Sequence, residues 1–163
     1  MRKTLQVILR ISFILYVLLM LWLLFGQRMG TAVDGTYPER LQASVNLIPF
    51  ATVRHFLHTL HSTEEGYLFR HTVVNLAGNV IMFIPLGFFL PCLRRRWRAF
   101  FRCMGICVWV LIGIELLQLL TLLGHCDVDD LILNLAGIGI GFGIFKACEK
   151  TTSQRRLLWN STT

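Results

Sequence analysis

Four runs of the chain are almost uninterrupted in their apolar character: 7–25 (VILRISFILYVLLMLWLLF), 72–91 (TVVNLAGNVIMFIPLGFFLP), 103–123 (CMGICVWVLIGIELLQLLTLL) and 128–148. Each approaches the roughly 20 apolar residues that an α-helix needs to cross a hydrocarbon core of about 30 Å. The pattern predicts an all-α, polytopic membrane protein, a bundle of four transmembrane helices forming a single domain over 1–163. Arg2 and Lys3 precede the first run as they would in a secretory signal, but no small-x-small cleavage site follows it, so an uncleaved helix is expected. A longer polar stretch, 26–71, separates the first two runs. Within it SVNLIPFATVRHFLHTLHST places apolar residues at helical spacing after Pro49, which predicts a short helix lying in the membrane interface.

Composition agrees with this pattern: 55% of residues are hydrophobic and 15% charged. The net charge of +7 changes the picture only through its distribution. Arg2, Lys3 and Arg10 flank the first run, Arg94, Arg95, Arg96, Arg98 and Arg102 fill the connection between the second and third, and Lys146, Lys150, Arg155 and Arg156 follow the fourth. The positive-inside rule therefore places both termini in the cytoplasm and the 26–71 loop outside. Arginines at these positions set topology and meet anionic lipid headgroups, so nucleic acid is not an expected partner. The five cysteines show no metal or redox spacing. His55, His58 and His61 recur every third residue, which suits the polar face of an interfacial helix; no metal and no cofactor is expected.

The polar residues inside the apolar runs carry the functional information. With a rise of about 1.5 Å per residue, Glu115 lies roughly 18 Å from Cys103, in the outer half of the membrane, with Gln118 one turn further out. The second and fourth helices run the other way, so Asn75, Asn79 and Asn134 fall at a similar depth and Asp127 and Asp130 at the outer lip. Spacings of three and four align Asp130, Asn134, Gly137 and Gly141 on one stripe, the glycines forming a helix-packing track, and pair Asn75 with Asn79 and Glu115 with Gln118. Asp129 projects about a quarter turn away and is expected to face water or headgroups. An ionised side chain at mid-membrane costs about 2.5 to 3.5 kcal/mol, so Glu115 needs a partner, a proton or a wet cavity. The asparagines and Gln118 equally suit interhelical hydrogen bonds.

In order and spacing, NLIPF at 46–50, NLAGNVIMFIPLGFFLP at 75–91, IELLQ at 114–118 and DVDDLILNLAG at 127–137 resemble the VanZ-like family of small bacterial membrane proteins. The resemblance spans roughly 46–145. It implies a multi-pass protein of the bacterial cell membrane, whose founding member lowers susceptibility to teicoplanin-type glycopeptide antibiotics. The family pattern falls on Asn46, Pro49, Phe50, Asn75, Asn79, Pro85, Gly87, Glu115, Gln118, Asp127, Asp130, Asn134 and Gly137. Many relatives carry an arginine before the first aspartate where this chain has GHCD; His125 would be a pH-dependent substitute, and Arg54 or Arg70 would compensate.

Three functions follow as expectations. The first is a non-enzymatic membrane protein whose polar cavity, facing the outer leaflet and roofed by 46–61, binds an amphiphile such as a lipophilic antibiotic or a cell-wall lipid intermediate. The second is an intramembrane enzyme acting on a lipid headgroup, with Glu115 and Asp130 as acid and base. The third is a small proton-coupled transporter subunit, for which a homo-oligomer would supply missing walls. Membrane lipids are partners in all three.

Overall fold

The computed structural model describes residues 2–26, 36–46, 48–50, 54, 66–124 and 126–161, with side chains described from 4 to 151 except at 43, 66–72 and 126 within those segments. It is an all-α polytopic membrane protein. The helices are α1 (Arg2–Phe25), α2 (Tyr37–Ala43), α3 (Gly66–Leu93), α4 (Phe100–Thr121) and α5 (Val128–Ser161), with a 3-10 turn at Arg95–Arg98 between α3 and α4. Four of them are long and apolar enough to cross a membrane, over Thr4–Phe25, Val73–Leu93, Phe100–Thr121 and Val128–Thr151. The chain passes back and forth, so one end of the bundle gathers the long connection and the α4–α5 turn. The other carries the arginines and the start of α1; we call these the loop end and the arginine end.

In lipid no hydrophobic force drives one apolar helix against another, so association depends on how closely backbones can approach. The glycines decide where that happens. A Cβ on Gly137 would collide with the carbonyl oxygen of Val80, one on Gly141 with that of Ile84, and one on Gly87 with that of Ile138. α3 and α5 therefore pack backbone to backbone and form the centre of the bundle. Phe83, Leu86, Leu111, Ile138 and Phe142 fill the core beside this seam. α1 is the least buried span and leans on α3, with the Tyr16 hydroxyl donating to the Met82 carbonyl oxygen at 2.9 Å. Pro85 and Pro91 lie inside α3, where each removes a backbone donor. At the second of these, the Arg98 Nε donates to the Pro91 carbonyl oxygen at 3.3 Å.

α4 ends in a left-handed cap. Leu122 has φ 52, its N–H reaches the Leu119 carbonyl oxygen at 3.2 Å, and the Leu123 N–H reaches that of Gln118 at 3.1 Å. This is the paired bonding of a Schellman motif, made here with leucine at the position glycine usually takes. From the long connection, the Tyr37 hydroxyl of α2 donates to the Leu120 carbonyl oxygen at 3.2 Å and so ties α2 to that cap.

The long connection carries a helix at Tyr37–Ala43, upstream of Pro49; the helix expected after Pro49, with His55, His58 and His61, lies outside the described residues apart from Arg54. Next to the start of α5, Cys126–Asp127 (β2) pairs in parallel with Val45–Asn46 (β1), in the register Val45 to Cys126 and Asn46 to Asp127. Two extended residues on each side are too short to leave a periodic signal, yet they fix the long connection to the start of α5.

Candidate functional site: the acid turn of α5 and the segment that closes it

Three aspartates surround the start of α5, Asp127 just before it and Asp129 and Asp130 in its first turn, and each is engaged differently. Asp127 caps the helix, its Oδ1 accepting the Asp129 N–H at 2.8 Å, as aspartate at an N-cap does. Its other oxygen, Oδ2, accepts from Asn46 Nδ2 at 3.2 Å. The parallel ladder places Asn46 opposite Asp127, and Asn46 Oδ1 in turn accepts the Ile48 N–H at 3.3 Å, an Asx turn that bends the chain over the helix start. That bend carries Phe50 to Asp129, whose Oδ1 accepts the Phe50 N–H. Phe50 adopts φ 61, and its carbonyl oxygen accepts the Arg54 N–H at 2.8 Å. Asp130 points toward α3 and accepts from Asn79 Nδ2.

Carboxylates in the first turn of a helix lie at the positive end of its dipole. Here backbone N–H groups and asparagine amides also fix their directions. The segment 45–50 and the start of α5 are thereby one hydrogen-bonded unit.

Below this unit lie the buried polar groups of the spans. Asn134, one turn beyond Asp130, is 4% exposed, and its Oδ1 has no hydrogen-bond partner among the described residues. Glu115 and Gln118 are buried on α4. Gln118 Nε2 donates to the Leu24 carbonyl oxygen at 3.3 Å, joining the loop end of α1 to α4.

A family model for VanZ/LLP1 matches residues 13–149. The chain belongs to the VanZ/LLP1 family. No curated protein and no solved structure matches it. The VanZ/LLP1 match runs from the middle of α1 to the arginine end of α5, and so includes every residue of the acid turn and its closing segment.

In this VanZ/LLP1 chain the residues expected to share a site are distributed as follows. Asn46, Asp127, Asp130 and Asn79 are joined by the bonds above; Glu115, Gln118 and Asn134 are buried in the same loop-end half of the spans. Gly137 and Gly141 lie on the α3 seam. Pro49, Phe50 and Arg54 are exposed on the loop end, where Phe50 contributes its backbone. Asn75 is exposed and stands apart from the buried group. It shares a stripe with Gly78, Met82 and Pro85, at spacings of three, four and three, whereas Asn79 shares one with the buried Phe83 and Leu86. The difference of one turn between 75 and 79 is a rotation of about 40°, enough to change neighbours.

Asp129 requires the clearest correction. It was expected to face water or headgroups and is 1% exposed. The helical wheel places it away from α3 and α4, but the segment 45–50 crosses that face and covers it. No helix-based reading contains that neighbour; the hint in the sequence is D-x-D at a helix start, where the first aspartate occupies the cap and the second is left to accept from something else. His125, and the side chains of Arg70 and His71, lie outside the described residues. Among the described residues no cluster of three metal-ligating side chains forms.

Proposed function

We propose that this VanZ/LLP1 protein binds an amphiphile at the loop end of the bundle, and that through this binding it contributes to glycopeptide or envelope-stress tolerance in a bacterial cell membrane. The loop end faces outward in this reading and both termini are cytoplasmic, because the exposed Arg94, Arg95 and Arg96 belong on the inner side. Antibiotics of the teicoplanin type combine a polar body with an apolar tail, and cell-wall lipid intermediates do the same.

The observation that carries the proposal is Asn134. A buried acceptor left without a donor costs about 1 to 3 kcal/mol, and among the described residues Asn134 Oδ1 is such an atom in the loop-end half of the membrane. A hydroxyl or amide N–H from a bound molecule would relieve that cost. The acid turn supports the reading: its carboxylates are oriented by neutral donors, and the exposed segment at Ile48, Pro49 and Phe50 lies over it as a cover that a ligand can meet first.

The test is the minimal inhibitory concentration of teicoplanin for a susceptible Gram-positive host expressing the chain, compared with Asn134→Leu, Glu115→Gln and Asp130→Asn at equal membrane abundance. The proposal expects tolerance from the wild-type chain, partial retention in Glu115→Gln, since binding tolerates a neutral isostere, and loss in Asn134→Leu. An unchanged inhibitory concentration with the wild-type chain overturns the tolerance role.

A further inference from the structure

α1 and α3 do not close on one another along their whole length. Between them lies an apolar groove of about 330 Å³, floored by Met20 and Met82 and bounded by Tyr16, Leu23, Gly78 and Pro85. Its two rims, Leu19 and Ile81, are 55% and 64% exposed, so it opens sideways from the bundle. The lining residues of both helices fall inside the membrane-crossing lengths Thr4–Phe25 and Val73–Leu93, so the medium outside the opening is hydrocarbon.

The two walls run antiparallel. Tyr16 and Pro85 mark the deep end, where the Tyr16 hydroxyl is already committed to the Met82 carbonyl oxygen, and Leu23 and Gly78 mark the loop end. Each wall covers eight residues, a rise of about 10 Å. At the loop end the α3 wall continues along its own stripe to the exposed Asn75, one turn above Gly78. An exposed amide at the edge of the hydrocarbon is costly without a hydrogen-bond partner, and its place at the head of an apolar slot supplies the reason for one. Gly78 keeps the slot open: a Cβ added there meets nothing within 4 Å.

We propose that the groove holds one hydrocarbon chain of a membrane lipid, with the lipid's polar neck hydrogen-bonded to Asn75. This deepens the amphiphile reading and rests on it, by adding a place for the apolar part of the molecule. A second copy of the chain fits less well, because a helix is about 10 to 12 Å across with its side chains and would need more room than a slot of this length and volume provides.

The experiment uses the full chain in vesicles of phosphatidylcholine and phosphatidylglycerol containing a trace of phospholipid with a diazirine at mid-chain. After irradiation, adducts are located by proteolysis and mass spectrometry. The expected adducts concentrate on Tyr16–Leu23 and Gly78–Pro85. Gly78→Leu, which replaces a poor helix former by a good one and so leaves α3 intact, fills the slot. Displacing about two methylenes of buried chain should lower groove labelling about tenfold. Asn75→Leu, on the exposed face, should lower it severalfold without touching the lining. Gly113→Leu on α4, where an added Cβ also meets nothing within 4 Å, is the control and should leave labelling unchanged.

Labelling spread evenly over the exposed faces of all four spans, Trp109 and Ile140 included, overturns the proposal, as does groove labelling indifferent to Gly78→Leu. Chain-to-chain adducts across α1 would assign the groove to a second copy and overturn it as well. Groove labelling in a chain that confers no teicoplanin tolerance supports the lipid site and removes only the tolerance role.

Discussion

α5 carries carboxylates at both limits of its membrane-crossing length, and among the described residues the contacts at the two ends differ. At the loop end, Asp127, Asp129 and Asp130 accept from backbone N–H groups and from the amides of Asn46 and Asn79. At the arginine end, Glu149 is met by Arg98 and Lys146, each at 2.9 Å. A cation cancels charge and tolerates loose geometry. A neutral donor fixes direction and leaves the charge of its acceptor in place. The arginine end is therefore built as a clamp: Arg98 reaches Glu149, the Pro91 carbonyl oxygen and the Phe145 ring, and so locks the α3–α4 turn to α5. At the loop end the backbone and asparagine donors fix the directions of the three acids.

The largest effect should come from breaking the buried member of the loop end. Asp129→Ala removes a charged acceptor at a 1% exposed position and strands the Phe50 N–H. It should cost about 2 to 3 kcal/mol, combining the lost charge-assisted bond with the lost dipole interaction. Unfolding in mixed micelles titrated with dodecyl sulfate measures this, and amide exchange at Phe50 should accelerate together with it. Asp129→Asn keeps an oxygen that can accept and should recover about half of the loss. Equal stability of Asp129→Ala and wild type would mean that the segment 45–50 is held by other contacts.

Arg98→Ala tests the other end and should be smaller. Its pair with Glu149 is 39% and 34% exposed on the two side chains, in the range where ion pairs contribute about 1 kcal/mol or less. Salt separates the two chemistries. Raising ionic strength shortens the screening length from about 10 Å at 0.1 M to 3 Å at 1 M, so the Arg98→Ala penalty should shrink more than that of the buried Asp129→Ala. An equally salt-sensitive Asp129→Ala penalty would show that screened charge interactions matter alike at both ends.

The contrast also explains how far the sequence could be read. The spans and the glycine track of α5 were legible because both depend on local pattern, apolar windows of sufficient length and Gly137 and Gly141 four residues apart; that α3 packs on the track was not. The environment of Glu149 was not singled out, since one acid among a basic tail looks like a solvated surface. Asp129 was misplaced because helical-wheel logic supplies helical neighbours only, and its neighbour is an extended segment some eighty residues earlier. Asn75 stands apart from the buried group for a subtler reason. Positions 75 and 79 share a face by spacing, but α1 and α5 divide that face between them. Contacts set by non-local extended chain, and by which of two helices occupies a boundary, are absent from periodicity.

The smallest effect sharpens the comparison by removing burial from it. Glu39, in the first turn of α2, uses the same chemistry as Asp129: its Oε2 accepts the Thr36 N–H at 2.9 Å, but in an exposed position. The Thr36 backbone N–H, followed by its hydroxyl, holds the Glu39 carboxyl below its ordinary value. A carboxyl whose folded value is lowered contributes stability that is present above the ordinary glutamate pKa of about 4.3 and is lost as pH falls through the lowered value. The Thr36 amide resonance should therefore titrate with a midpoint below 4.3, and α2 should loosen only beneath that midpoint. Glu39→Gln should abolish the titration and leave the Tyr37 tether to Leu120 intact at neutral pH. A midpoint at the ordinary value would show that a neutral backbone donor orients a carboxylate in water without stabilising its charge, and that burial is what gives the same bond its strength at Asp129.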